Sequence, residues 1–97
     1  MRYEILLAPE AVEDLKSLQA NHRAKVRDAI ERHLRHEPRK ESRSRIKRLK
    51  GLTRPQFRLR ADEFRVFYDV TGTEVEVLAV VNKQGVQEWL EKLKRKN

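Results

Sequence analysis

Residues 56–81 read QFRLRADEFRVFYDVTGTEVEVLAVV, and the period of this stretch decides the fold. Phe57 and Leu59 alternate with Arg58 and Arg60. After Ala61-Asp62-Glu63 the alternation resumes, with Phe64, Val66, Tyr68 and Val70 set against Arg65, Phe67 and Asp69. Thr71-Gly72 is a turn signal, and residues 74–81 continue with Val75, Val77, Ala79 and Val81 on one face. A period of two belongs to a β-strand, whose successive side chains point to opposite faces. Three such strands with short connections predict an antiparallel meander.

On either side of this stretch the period becomes helical. Residues 2–7 read as a first strand, and Pro9 then stands where a helix can begin, since a first-turn residue needs no N–H. Ala11, Val12, Leu15 and Leu18 predict a first helix ending near Asn21. Val26, Ala29, Ile30 and Leu34 predict a second, from about His22 to His36. Joined by a tight turn, the two make an αα-hairpin. Pro38 stops the second helix by disfavouring a helical Glu37. Residues 38–45 lack any period and are expected as loop, after which Ile46 and Leu49 anchor the chain. Past the meander, Val86, Trp89, Leu90 and Leu93 fall at i, i+3, i+4 and i+7, the stripe of an amphipathic closing helix. The expected order is β-α-α-β-β-β-α. It describes one α+β domain over residues 1–97, with an antiparallel sheet core, the helical hairpin on one face and a carboxy-terminal helix.

Composition narrows the chemistry. The chain has 97 residues, the size of one domain. It has no cysteine, which removes disulfides, thiolate catalysis and cysteine-based zinc sites together. His22, His33 and His36 do not form a ligand set, and neither a metal nor a cofactor is expected. No signal peptide or membrane-spanning stretch is legible, so a soluble, cytoplasmic protein without membrane contact is expected. The sequence contains no P-loop, dinucleotide fingerprint or G-x-S-x-G motif.

The charge is local. Of 23 Lys and Arg, ten lie between Pro38 and Arg60, opposed there only by Glu41, so this segment carries +9. The other residues carry 13 basic and 14 acidic side chains. A patch of one sign is an electrostatic footprint for a polyanion, most readily RNA. Period-two geometry places Arg58, Arg60 and Arg65 together on the face opposite Phe57, Leu59, Phe64 and Val66. Such a set either serves an anion or is neutralised across the strands by acids such as Asp69 and Glu76. Arginine offers a planar, permanently charged fork suited to phosphate oxygens. Cleavage of RNA by its own 2′-hydroxyl needs that charge stabilisation together with one proton acceptor and one donor.

Several motifs in register resemble the RelE-type toxins of bacterial and archaeal toxin–antitoxin pairs. The hairpin carries Leu49-Lys50-Gly51, then Phe57-Arg58-Leu59-Arg60, then Phe64-Arg65-Val66-Phe67-Tyr68-Asp69-Val70, similar to that family's "Y-R-L-R-x-x-x-Y-R-V-x-Y". The amino-terminal pattern "Y-x-I-x-L-x-P-x-A-x-x-D-L-x-x-L" is matched by Tyr3, Ile5, Leu7, Pro9, Ala11, Asp14, Leu15 and Leu18, with Leu7 one residue short of the usual spacing. The resemblance spans nearly the whole chain.

What it implies is a metal-independent endoribonuclease that cuts mRNA in the ribosomal decoding site. It also implies neutralisation by a cognate antitoxin, in a heterotetramer or larger complex, with operator DNA contacted only through the antitoxin. By the resemblance Arg65 stabilises the cleaved phosphate and Arg58 occupies one of two basic positions on the preceding strand. The other basic position falls on Gln56. Lys83 and Trp89 stand where the family often has an arginine and, six residues later, a tyrosine. Lys83 is therefore the expected proton donor, while Trp89 either stacks on a base or completes the apolar stripe with Leu90 and Leu93. Arg60, Lys47, Arg48 and Lys50 are expected to hold RNA backbone. The alternatives are a ParE-type gyrase inhibitor of the same fold, acting by protein contact, and a catalytically weakened RNA-binding relative.

Overall fold

A computed structural model of the chain describes residues 1–96. The elements are β1 (Glu4–Leu7), α1 (Pro9–Ser17), α2 (Ala20–Leu34), β2 (Ile46–Arg48), β3 (Phe57–Ala61), β4 (Phe64–Thr71), β5 (Glu74–Asn82) and α3 (Val86–Lys96), with a short 3-10 turn at Lys83–Gly85. They form an α+β domain around a five-stranded sheet of order β1-β5-β4-β3-β2. The meander β3-β4-β5 is antiparallel as expected, and β1 joins its far edge parallel to β5.

The elements differ from their sequence boundaries in instructive ways. The first strand is shorter than residues 2–7. The hairpin turns at Leu18 and Gln19, so α1 ends before Asn21 and α2 begins before His22. Strand β2 is an addition to the expected order. Its three residues are too few to display a period, but Ile46 is buried opposite Leu59 and the strand extends the meander by one.

The two turns of the meander follow from local chemistry. Gly72 adopts a φ of +59, which a residue without a Cβ accepts freely. Asp62, at φ +56, is of a type that tolerates the left-handed region because its short polar side chain can bond locally.

One face of the sheet receives the helical hairpin. Ala11 and Leu15 from α1, and Val26, Ile30 and Leu34 from α2, close over Leu59, Val66, Tyr68, Val75 and Val77, all essentially removed from water. Phe57 stacks on Tyr68 with ring centroids 5.4 Å apart. The Tyr68 hydroxyl donates to the Pro38 carbonyl at 2.7 Å, which ties the loop after α2 down onto the core.

Strand β5 breaks the expected alternation. Phe67 pairs with Ala79 and Tyr68 with Val77, leaving Leu78 as an extra residue in a β-bulge. Val75 and Val77 face the hairpin as expected, but beyond the bulge Val80 takes the inner position, while Ala79 and Val81 turn to the other face. A single extra residue flips every side chain after it. The uninterrupted apolar run from Val77 to Val81 conceals this, because either phase looks hydrophobic.

The bulge lies where β1 has ended, so the outer edge of β5 needs another partner. Asp14 of α1 supplies it, its carboxylate accepting from the Val80 N–H at 2.9 Å. Desolvation pushes the Asp14 carboxyl above its ordinary value, with Glu10 adding to the shift and the Val80 bond opposing it. For an acid raised in the folded state, the associated stability is complete below the ordinary carboxylate value and is lost as pH rises through the folded one. Asp14→Ala should therefore cost about 1–3 kcal/mol by orphaning a buried N–H. Asp14→Asn, which keeps an oxygen for Val80, should be at least as stable as the parent at neutral pH, with its advantage shrinking on acidification. Urea unfolding across the acid range measures both; an alanine variant as stable as the parent contradicts the latch.

Candidate nucleic-acid interface

Strand pairing sorts the predicted residues onto the face away from the helical hairpin. Arg60 lies opposite Arg65, Arg58 lies opposite Phe67, and Lys47 lies opposite Arg58. Directly opposed residues of antiparallel strands share a face, so Lys47, Arg58, Arg60 and Arg65 form one cationic field. Arg48 is not part of it. One residue further along β2, it opposes Phe57 on the hairpin side and lays its guanidinium over that ring, 5.1 Å from the centroid. Lys50 is exposed in the turn that follows, next to Gly51 at φ +77.

The arginines lie close enough to affect one another. Burial depresses the Arg65 guanidinium below its ordinary value first, and the positive charges of Arg58 and Arg60 lower it further. Arg65 is also held in place, because its Nη1 donates to the carbonyls of Asp62 at 3.0 Å and Phe64 at 2.9 Å. Arg58 carries a buried Nε with no hydrogen-bond partner among the described residues. Buried polar groups are nearly always satisfied, so this orphaned guanidinium N–H is an exception on the cationic face.

The acids on this face are already engaged elsewhere. Arg54 bridges them, its Nε 2.9 Å from Asp69 and its Nη2 2.6 Å from Glu76. Asp69 also accepts from the Gln56 N–H at 2.7 Å, and the Gln56 side-chain oxygen accepts from the Val70 N–H at 2.9 Å. Gln56, which stands where the resemblance expects a cation, is thus a backbone clamp. Burial raises the Asp69 carboxyl, against the opposing pull of Gln56 and Arg54. Neutralisation of the arginine field by Asp69 and Glu76 is not what the chain does. Among the described residues Lys47, Arg58, Arg60 and Arg65 have no carboxylate partner, whereas Lys25, Arg32, Arg35, Lys40, Arg54, Lys83 and Lys92 each have one.

Lys83 and Trp89 sit at the margins of the field. The Lys83 ammonium lies 3.2 Å from the Glu63 carboxylate, and its backbone N–H donates to the Glu63 carbonyl at 2.9 Å. Lys83 therefore fastens the β3–β4 turn, from which Arg65 is held, to the end of β5. Trp89 of α3 stacks on Phe67, with centroids 4.4 Å apart and planes at 19°. Its indole N–H donates to Glu10 at 3.3 Å. One aromatic face of Trp89 is thus spent on packing, and α3 covers the side of the sheet next to the arginines. Among the described residues no cluster of histidines and acids could hold a metal ion, and no helix is long and apolar enough to cross a membrane.

Arg54 and Gln56 are the residues that sequence reasoning missed. Both act through partners at least 13 residues away, across strands whose register is visible only in the fold.

A five-stranded sheet with a helical hairpin on one face is a fold shared with solved toxin structures. A mutant of the E. coli toxin RelE in the free state is 21% identical, with a TM-score of 0.72 over 98% of each chain. A chain of the toxin–antitoxin complex RelBE2 from Mycobacterium tuberculosis is 24% identical, with a TM-score of 0.70 over 84% of this chain and 99% of that one. The YoeB/ParE toxin from Agrobacterium tumefaciens is 20% identical, with a TM-score of 0.65 over 81% of this chain and 96% of that one. No curated protein sequence matches. The family model described as the ParE toxin of the type II toxin–antitoxin system parDE matches residues 5–85. The chain belongs to that family, within the RelE/ParE superfamily of toxins.

The packing of Trp89 generates a direct test. Trp89→Ala should lower stability by about 1–3 kcal/mol, through reduced apolar burial and removal of the stack on Phe67. Trp89→Phe should recover part of it. As the only tryptophan, Trp89 also reports on α3, and its emission should change when the helix leaves the sheet. An alanine variant with unchanged stability contradicts the packing role.

Proposed function

We propose that the chain is a type II toxin that cleaves mRNA on the ribosome, in the cytoplasm and without a metal, and that a cognate antitoxin neutralises it. The observation that carries this reading is the set of four cations on β2, β3 and β4 left without carboxylates while Arg54 takes up the acids of the same face. Like charges held together at a folding cost are accounted for when an anion binds among them.

In the proposed reaction the 2′-hydroxyl of a ribose gives up its proton to solvent water and attacks the adjacent phosphorus. The new P–O2′ bond forms as the P–O5′ bond breaks, leaving a cyclic phosphate on one fragment and a 5′-hydroxyl on the other. Arg65 stabilises the charge that builds on the phosphoryl oxygens, and Arg58 meets the same group with its guanidinium. Arg60 and Lys47 position the scissile phosphate, and Lys50 holds backbone at the rim. The departing 5′-oxygen takes its proton from Lys83, which is released from Glu63 when RNA enters. Trp89 contributes by keeping α3 in place rather than by stacking on a base.

A second reading has one observation in its favour, the match to the ParE family model. ParE-type toxins inhibit gyrase by protein contact, a mode for which an arginine field holds no advantage over a mixed surface.

Removal of one preorganised charge donor costs roughly 2.7–4 kcal/mol of transition-state stabilisation, about 10²–10³ in rate. Arg65→Ala should therefore abolish growth arrest on induction while the complex with the antitoxin still co-purifies. An Arg65→Ala protein that arrests growth like the parent sinks the cleavage reading and favours the gyrase one.

A further inference from the structure

Two adjoining concavities run along α2 beside β2, and Arg32, His33 and Arg45 line both of them. Most cations there are paired: Lys25 with Asp62 at 3.7 Å, Arg32 with Asp28 at 3.2 Å and Lys40 with Glu37 at 3.5 Å. Arg45 has no carboxylate partner among the described residues, and it faces His33 and Arg32 instead. Burial lowers the His33 imidazole below its ordinary value, and the Arg45 and Arg32 charges lower it further. The groove thus brings an unpaired guanidinium against a half-buried imidazole and a second arginine.

This groove continues the arginine field around the edge of the sheet. Arg45 directly precedes β2, the last strand on that side, and its carbonyl accepts from the Arg60 N–H at 2.8 Å. Arg48 stands at the other end of the same strand, on the hairpin side. A phosphodiester chain leaving Arg60 and Lys47 would turn over β2 and meet Arg45 next.

We propose that the groove between α2 and β2, centred on Arg45 and His33, is a second phosphate-binding locus for single-stranded RNA. It holds the strand beyond the nucleotides seated among Arg58, Arg60 and Arg65. The proposal rests on the RNA reading for the nature of the polyanion. A phosphodiester backbone suits it better than an acidic peptide, because it presents charges at regular intervals along one continuous path. Base identity is immaterial to such contacts, which track the backbone.

The test uses the full chain and two fluorescent 2′-O-methyl oligouridylates, which lack the attacking hydroxyl. One is a trinucleotide and the other about a dozen nucleotides long, within the span that single-strand binders cover. Arg45→Glu should weaken binding of the longer probe about tenfold and leave the trinucleotide unchanged. It should also flatten the logarithmic salt dependence of the longer probe by about 0.7 for each phosphate that the groove no longer neutralises. Arg45→Lys should restore most of the affinity, and Arg65→Ala should weaken both probes. Unchanged binding of the longer probe by Arg45→Glu overturns the proposal. So does a variant that keeps the longer probe but loses its complex with the antitoxin, which would make the groove a protein-docking surface. If Arg65→Ala remains toxic while Arg45→Glu still loses the longer probe, the groove stands and the cleavage reading alone fails.

Discussion

The pleat of β4 is the constraint on which the rest of the molecule depends. One side of this strand, Phe64, Val66, Tyr68 and Val70, closes the core under the helical hairpin. The other side presents Arg65, Phe67 and Asp69 in that order, and each recruits a different neighbour. Arg65 gathers Arg58 and Arg60, Phe67 receives Trp89 and with it α3, and Asp69 captures Arg54 and Gln56. A strand one residue out of register would put the arginines in the core, so burial of one face fixes the charge pattern of the other.

That pattern depends equally on where the negative charge goes. Asp69 and Glu76 lie across from each other on β4 and β5, on the same face as the arginine field. Left alone, they are the natural counterions for Arg58. Arg54 reaches them from the loop before β3 and forms hydrogen bonds to both, which leaves the field uncompensated. Exposed ion pairs contribute little to stability, but an arginine that bridges two acids, one of them buried, also decides which charges remain available. At the opposite end Glu63 and Lys83 anchor the turn that holds Arg65, so in the free chain the field is framed by the Arg54 pairs on one side and the Lys83–Glu63 pair on the other.

Most of the fold was legible because its elements carry strong periods. The meander, both hairpin helices and the closing stripe of α3 follow from apolar spacing, and the shared face of Arg58, Arg60 and Arg65 follows from alternation alone. What escaped has a physical reason in each case. Strand β2 is too short to show a period, so Lys47 and Arg48 read as one basic cluster although the pleat separates them onto opposite faces. The bulge at Leu78 is hidden in an apolar run that fits either phase. Arg54, Gln56 and the Lys83–Glu63 pair act through long-range partners, and a single sequence carries no local signal for those.

The family is fixed by the chain's own sequence over residues 5–85, and the architecture is shared with RelE and YoeB toxins. The chemistry turns on what the arginine field meets. Mapping RNA 5′ ends on ribosomes shortly after induction of the toxin addresses it most directly. Cleavage on the ribosome should give new 5′-hydroxyl ends inside translated messages, at the position of the decoding site, and none when Arg65 is alanine. Intact messages accompanied by filamentation and DNA damage would contradict it.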